Sequence, residues 1–559
     1  MKESEIEMTL LGTPTQITGD IRVDVLTDRC AGCQECYVRC PTSAIGFDSD
    51  NWIVTVDATL CVGCRQCVRV CPFSAIEVHG EPLLAASLKN RIPHDYMIPA
   101  LAPSRETREG FANFEDALLE ANRCLECPDP TCVRGCPAHN DIPAMIAAVR
   151  EQDLQGARRL FEATSHLGSI CSRVCDQTTQ CEGACSWTLA GQTAVAIGLL
   201  ERFVFDNTTI DHDIGHQVTG KVAIVGSGPA ALGSAWELVK AGAQVTVFEA
   251  GPRAGGLLNH GIPEFTLPLA KVNEQWETLV DLGLELVLNH HVSKTEVESF
   301  RSAYDGIILA HGAQNPIRPS IPGIDSPHVI DAMDFLSRTG EALHDPIPNT
   351  SYKGKRIAIL GAGNTAMDVG RMAVRFGAQA TAVEWVNESF SRVRVDELQE
   401  ARKEGVQVSF LTTISNISDS SVTLVHTTHH DPKKLPEIVK GSETELPVDL
   451  VVLALGYRLT GEFEQFAPLA PFRPNPNSDV DFGWISSGLF SPSSENHKIG
   501  PLSWSRDIAT HRSQVPFETK IFVAGDALIG QSTVVEAMAQ GREAARKLIT
   551  TLRDNLSYK

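Results

Sequence analysis

A multidomain chain mixing α+β and α/β parts is predicted by three observations. All sixteen cysteines lie in four spaced groups between positions 30 and 185. The first two groups are copies of one pattern, offset by 31 residues. The cysteine-free remainder carries two strand–glycine turn–helix–strand stretches, at 221–250 and 355–385. The front third therefore reads as small metal-holding domains. The rest reads as two doubly wound, Rossmann-like domains.

The repeat is DRCAGCQECYVRCPTSAI against TLCVGCRQCVRVCPFSAI, each C-x2-C-x2-C-x3-C-P. This is the bacterial two-cluster ferredoxin run, in which the fourth cysteine of each copy ligates the other copy's cluster. The expected sets are Cys30, Cys33, Cys36 and Cys71 on one [4Fe-4S] cluster, and Cys61, Cys64, Cys67 and Cys40 on the second. Pro41 and Pro72 stop the chain from continuing as a helix after the fourth ligand. Structural zinc would pair two C-x2-C knuckles across a longer gap, and three cysteines at two-residue gaps crowd one tetrahedral ion.

Composition bounds the rest. A length of 559 residues implies about three to five domains. A net charge of −21 argues against nucleic acid or an anionic membrane as partner. The acidic start MKESEIEMTL has no apolar core, so no secretory signal is expected. Arg158–Arg159 lies in a helical stretch, so no twin-arginine export signal is expected. No apolar run approaches about 18 residues, so no membrane insertion is expected. A cytoplasmic location follows as the expectation, where dense cysteines read as metal ligands rather than disulfides.

In KVAIVGSGPAALGSAWELVKAGAQVTVFEA, Gly226 makes the tight turn and Gly228 allows a pyrophosphate to approach. Ala231 takes the packing position, and Glu249 ends the second strand, where an acid accepts ribose hydroxyls. KRIAILGAGNTAMDVGRMAVRFGAQATAVEW repeats the design, with Gly361, Gly363 and Ala366 in those places and Asn364 and Thr365 opening the helix.

From about Phe111 an apolar stripe at helix spacing appears in NFEDALLEANRCLEC and IPAMIAAVREQDLQGARRLF. The cysteines there are spaced C-x2-C-x4-C-x3-C-P at 124–136, then C-x5-C-x3-C at 175–185, with Cys171 just ahead. EANRCLECPDPTCVRGCPAHNDIP, SRVCDQTTQCEGAC and VAIGLLERFVFD resemble closely the helical domain of the glutamate synthase small-subunit family. That family includes the NADPH subunit of bifurcating transhydrogenases and the N-terminal half of dihydropyrimidine dehydrogenase. The resemblance covers about residues 110–545.

The resemblance implies two further [4Fe-4S] clusters. Carried over, Cys136, Cys175, Cys181 and Cys185 would hold one. Cys124, Cys127 and Cys132 would hold the other, with Glu201 as its non-cysteine ligand. A carboxylate ligand would tune that cluster's potential. The competing reading leaves Glu201 as a solvated helix residue and gives its place to Cys171. Asp176 departs from the family's usual proline.

The resemblance also implies a split FAD domain. GGLLNHGIPEFTLP, with Gly256 and Leu257, matches the flavin-side signature. In KIFVAGDALIGQSTVVEAMAQGREAA, Asp526 would bond the ribityl or pyrophosphate part of FAD, and a helix starting near Thr533 would point at the isoalloxazine. The second dinucleotide fold becomes the inserted NAD(P) domain, closed by LVVLALGYR with Gly456 in a nucleotide-contacting turn. NADPH-using relatives carry a Tyr-Arg-Arg-like run after the second strand. This chain has Glu384, Trp385 and Val386, and a carboxylate repels a 2′-phosphate and suits the free diol of NADH. Arg392 remains at a phosphate-binding position. His311 replaces the family's usual threonine, a change the residues do not account for.

The expected domains are a ferredoxin domain at 20–80, a linker at 81–109, a helical iron–sulfur domain at 110–212, FAD domain parts at 218–325 and 460–559, and an NAD(P) domain at 326–459. Residues 461–518 read as an irregular surface excursion. The implied function passes electrons between NAD(P)H, with NADH favoured, FAD and four [4Fe-4S] clusters, to or from a ferredoxin or a larger catalytic redox subunit in a hetero-oligomer. The alternatives are a stand-alone NAD(P)H:ferredoxin oxidoreductase and an FAD-binding scaffold that has lost nicotinamide binding. Hydride chemistry belongs to the cofactors, so no catalytic acid or base is named.

Overall fold

The computed structural model describes residues 21–80, 106–458 apart from 210–211, 213, 216–217, 345–351 and 432–433, and 520–557. Most of the expected linker and the whole expected excursion at 461–518 lie outside the described residues. The chain divides into two compact units. Residues 21–80 and 109–212 belong to the first; residues 106–108, 214–458 and 520–557 belong to the second.

In the first unit the sequence repeat becomes a structural repeat. Strand Arg22–Val25 pairs antiparallel with Ile76–His79, and Ile45–Asp48 with Ile53–Val56. Each copy supplies one short helix, Glu35–Val38 and Gln66–Val70. Ile45, Val54 and Ile76 form a small core against the cysteine loops. Such a core is too small to hold these loops alone, and bound metal is how domains of this size are stabilised.

Between Phe114 and Asp206 the chain forms short helices joined by loops. Asn113, Asp141 and Asp153 each cap a helix by accepting the backbone N–H three residues on, at 2.9, 3.2 and 2.7 Å. The amphipathic faces meet around Met145, Ile146, Phe161, Ile170 and Leu200, all essentially inaccessible. Trp187 is buried there and donates its indole N–H to the Arg123 carbonyl at 2.9 Å.

The second unit holds two parallel five-stranded sheets. In the first, the order is 521–523, 306–309, 221–225, 244–248, 285–287; in the second it is 329–331, 450–453, 356–360, 379–384, 407–410. Each central strand is a nearly continuous apolar run (KVAIV, RIAIL), as burial on both faces requires. Strand 521–523 closes the first sheet from the far end of the sequence, so the second sheet is an insertion into the first domain. The long helix Val534–Ser557 lies on Pro229–Ala241 at very close range. Added Cβ atoms on Gly233 and Gly541 would stand 2.4 Å from the Met538 carbonyl oxygen and inside the Ala230 carbonyl oxygen's contact radius. Residues 412–447 add an antiparallel sheet beside the second domain.

Residues 107 and 108 are tied to this second unit. The Thr107 N–H donates to the Phe265 carbonyl at 2.9 Å, and Arg108 pairs with Glu397 and Glu400 at 2.8 Å. Arg371, wholly buried, pairs with Glu400 and Glu404 at 2.8 Å and stacks 4.3 Å over Phe265. Among the described residues no helix is long and apolar enough to cross a membrane.

Candidate redox centres and dinucleotide cradles

The ferredoxin copies exchange their last cysteines. The sulfurs that bear on Cys36 are Cys71 and Cys33; those that bear on Cys67 are Cys64, Cys61 and Cys40. Burial first, then these neighbouring sulfurs, push the Cys36 thiol up to about 11 and the Cys64 and Cys67 thiols up to about 12. Such thiols stay protonated at neutral pH unless cations replace the protons, which fits iron. Backbone N–H groups of Ala44 and Ala75 point at the Cys40 and Cys71 sulfurs at 3.2 and 3.3 Å. These N–H···S contacts repeat with the period of the sequence and would lower the charge on a bound cluster.

The helical domain corrects the expected grouping. Cys185 stands with Cys124, Cys127 and Cys132, and Glu201 stands with Cys136, Cys175 and Cys181. The resemblance implies instead Cys185 with Cys136, Cys175 and Cys181, and Glu201 with Cys124, Cys127 and Cys132. The reason is local geometry. Cys136 is the first extended residue after helix Thr131–Gly135, which carries Cys132, so it turns away from Cys124, Cys127 and Cys132. Cys185 precedes helix Ser186–Leu189, whose Ser186 hydroxyl lies 3.3 Å from the Cys127 sulfur. The last cysteine of each group therefore crosses to the other group, the same exchange as in the ferredoxin repeat. That rule was the available signal.

Glu201 is 7% exposed on helix Ile197–Asp206, so it is not a solvated helix residue. Burial raises its carboxyl well above the usual range, and its Oε1 has no hydrogen-bond partner among the described residues. A buried carboxylate with an unmatched oxygen beside three thiols fits a fourth ligand. Cys171 is buried mid-helix in Gly168–Val174, one turn before Cys175, whose N–H donates to its carbonyl at 2.9 Å.

Arg69 was not singled out in the sequence. Burial lowers its pKa, and the sulfurs of Cys64, Cys127, Cys67 and Cys185 surround it. It donates to the Cys64 carbonyl at 3.1 Å. Gln66 Nε2 reaches the Asp129 carbonyl at 3.4 Å across the same seam. One guanidinium thus separates a ferredoxin cysteine set from a helical-domain set.

The first dinucleotide cradle is built on strand Lys221–Val225 and helix Pro229–Ala241. Gly226 has φ +97, and a Cβ there would stand 2.5 Å from the Ala310 carbonyl oxygen, so only glycine makes this turn. A Cβ on Gly228 would meet nothing within 4 Å. That open space lies at the helix N-terminus, where a phosphate fits. Ala231, fully buried, packs the helix on the sheet. Glu249 accepts the Gly251 N–H at 2.7 Å and the Ser227 hydroxyl, and Ser227 accepts the Gly255 N–H at 2.9 Å. Gly256 follows, so close that a Cβ would stand 2.9 Å from the Gly228 Cα, and Leu257 starts the next short helix, largely exposed.

Asp526 opens helix Asp526–Ile529 and accepts the Ser532 N–H at 3.1 Å and the Ser532 hydroxyl. Burial pushes its carboxyl up to about 6 despite those bonds. Thr533 caps the long helix through a capping box: its N–H donates to Glu536 at 2.8 Å and its hydroxyl accepts from the Glu536 N–H at 3.4 Å. His311 follows the strand beside Gly226, and burial drops its pKa to about 4, so the ring there is neutral.

The second cradle matches the first. Gly361 has φ +107 with its Cβ position 2.6 Å from the Ala454 carbonyl oxygen, and a Cβ on Gly363 would meet nothing within 4 Å. Ala366 is fully buried, while Asn364 is exposed and Thr365 half-buried in the first turn of helix Asn364–Arg375. Glu384 accepts the Ala362 N–H at 3.0 Å, and burial raises its carboxyl. Asn364 accepts the Arg394 N–H at 2.8 Å, which ties the segment bearing exposed Arg392 over the cradle. Gly456, at φ +94, packs on the Gln531 side chain.

Three families match. "4Fe-4S dicluster domain" covers residues 23–78, "dihydropyrimidine dehydrogenase domain II, 4Fe-4S cluster" covers 103–212, and "pyridine nucleotide-disulphide oxidoreductase" covers 220–470. UacF of Escherichia coli (strain K12) is 30% identical over 95% of this chain and 82% of its own. The glutamate synthase [NADPH] small chain of the same organism is 33% identical over 80% of this chain and 93% of its own. PreT, named a subunit of an NAD-dependent dihydropyrimidine dehydrogenase, is 28% identical over 77% and 93%. With its two dinucleotide cradles and its paired iron–sulfur domains, the chain belongs to the glutamate synthase small-chain family of FAD- and NAD(P)-dependent iron–sulfur oxidoreductases.

Proposed function

We propose that this protein is the electron-transfer subunit of a larger redox complex, taking electrons from NADH and delivering them through four [4Fe-4S] clusters at its ferredoxin end. The observation that carries this reading is the seam at Arg69, where the Cys64 and Cys67 side of the ferredoxin faces Cys127 and Cys185. Bound FAD would accept a hydride from the nicotinamide and release its electrons one at a time.

The residues supply position and field. Gly228 and Gly363 leave room for two pyrophosphates at two helix N-termini. Glu249 and Glu384 fix the glycine turns and present an acid to each ribose. Glu384 also disfavours a 2′-phosphate, which supports NADH. Cys40, Cys61, Cys64 and Cys67 would hold the inner ferredoxin cluster; Cys30, Cys33, Cys36 and Cys71 the outer one. In the helical domain the sets would be Cys124, Cys127, Cys132 and Cys185, and Cys136, Cys175, Cys181 and Glu201.

Cys33 is exposed, and so are Tyr37, Val38, Trp52, Leu60 and Phe73 of the same small domain. Exposed apolar side chains around the outer site suit a docking partner, a ferredoxin or a catalytic subunit in the cytoplasm. Anaerobic purification tests the reading. Iron and flavin are counted, and the flavin is titrated with NADH and with NADPH. About sixteen iron atoms per chain and bleaching by NADH are expected. Iron near eight, or a flavin inert to both nucleotides, would refute it.

A further inference from the structure

We propose that Glu162, His166 and His212 bind a divalent transition-metal ion of the zinc class, at a site separate from the cysteine sets. Glu162 ends helix Leu154–Glu162, His166 lies one turn further on, and His212 follows helix Ile197–Asp206. A carboxylate oxygen of Glu162 and one ring nitrogen each of His166 and His212 all lie within 4.8 Å of one another. His166 Nδ1 and His212 Nδ1 are each 3.6 Å from Glu162 Oε2.

That spacing decides between two readings. Protonated imidazoles bonded to a carboxylate close to about 2.7–2.9 Å. Ligands placed about 2.0–2.2 Å from one tetrahedral zinc stand about 3.3–3.6 Å apart. The observed 3.6 Å is longer than that range and fits the edge of a tetrahedron. The rings of His166 and His212 also stand edge to face with centroids 5.8 Å apart. Two imidazolium ions that close would repel, whereas two neutral imidazoles can share a cation.

The carboxylate is prepared for this. Arg158 Nε donates to Glu162 Oε1 at 2.8 Å, which fixes the group and leaves Oε2 for the ion. Glu162 is 6% exposed, and its Oε2 has no hydrogen-bond partner among the described residues. A buried carboxylate oxygen left unmatched is costly. Two nitrogens and one oxygen are a donor set that zinc and its neighbours accept, with a fourth position left for water. The ion would clasp the segment after helix Ile197–Asp206, which carries Glu201, to helix Leu154–Glu162. Arg158 already stacks 4.8 Å over Phe205 along the same seam.

The test uses the full holoprotein. It is dialysed against a chelator, exposed to Zn2+ and desalted, and zinc and iron are counted. Zinc K-edge absorption then reads the ligand shell. The expected result is one zinc per chain in a nitrogen and oxygen shell, lost at least tenfold in His212→Ala with iron unchanged. His212→Cys guards against misfolding: it should keep the zinc and add one sulfur at about 2.3 Å. Zinc below about a tenth per chain in the unaltered protein would overturn the proposal. So would a sulfur shell there, or zinc indifferent to both substitutions.

Discussion

The Ala362 N–H donates to the Glu384 carboxylate across 3.0 Å, so the acid that ends the second strand grips the glycine turn it faces. The same side chain would meet the ribose of a bound nicotinamide nucleotide. Glu384→Gln keeps an acceptor for Ala362 but removes the charge. The proposed preference for NADH over NADPH, read as the ratio of kcat/KM for anaerobic flavin reduction, should narrow by about tenfold, or about 1.4 kcal/mol. An unchanged ratio would show that the carboxylate does not set coenzyme choice.

Glu201 and Cys171 compete for one role, and iron content separates them. Glu201→Ala should lose about four iron atoms per chain, whereas Cys171→Ser should lose none. Glu201→Cys should retain the iron and alter the potential of that cluster in an EPR-monitored titration. Loss of iron in Cys171→Ser with none in Glu201→Ala would reverse the assignment.

Arg69 places a positive charge between two cysteine sets. Reduction adds negative charge to a cluster, and Arg69 would stabilise the reduced form of one bound beside it. Arg69→Met should therefore lower the potentials of the two flanking clusters, on the order of tens of mV. Potentials that stay put or rise in a redox titration would place the clusters elsewhere.

Gly226 and Gly228 stand two residues apart and should fail differently. Gly226→Val strains a φ of +97 and drives a Cβ into the Ala310 carbonyl, so the fold should lose about 1–3 kcal/mol or more. At Gly228→Val the added Cβ meets no protein atom within 4 Å. Its flavin-free form should melt where the parent's does, while flavin content falls at least tenfold. The paired measurements are thermal melts and bound-flavin absorbance.

Asp526 gives a pH dependence of the less usual sign. Burial raises its folded-state pKa to about 6, above the unfolded value near 4. The folded form then holds the proton more tightly. Stability from this group is full below about pH 4 and falls as pH rises to about 6, by at most about 3 kcal/mol. In flavin-free protein, Asp526→Asn should melt higher than the parent at pH 7 and lose that advantage toward pH 5. A constant difference between the two melts across this range would refute the shift.

Much was legible without coordinates, for identifiable reasons. The C-x2-C-x2-C-x3-C-P repeat states both metal and exchange, because the fourth cysteine stands past the short helix that carries the third. Gly226 and Gly361 were readable because only glycine makes that turn, and the apolar runs KVAIV and RIAIL because both sheet faces are covered.

What the sequence by itself determined is the set of elements and the ligand types. Spacing and backbone restriction are local properties, and they survive in one dimension. The tertiary structure decided which side chains meet. Cys185 joins Cys124, Cys127 and Cys132 because the chain turns between Cys181 and Ser186. Glu201 meets Cys136 because helix packing brings together residues 65 positions apart in the chain. Arg69 carries no spacing signature, and although Glu162 and His166 stand one helical turn apart, only packing brings His212 to them. Electrostatics at such sites depends on distance through space, which chain separation does not encode.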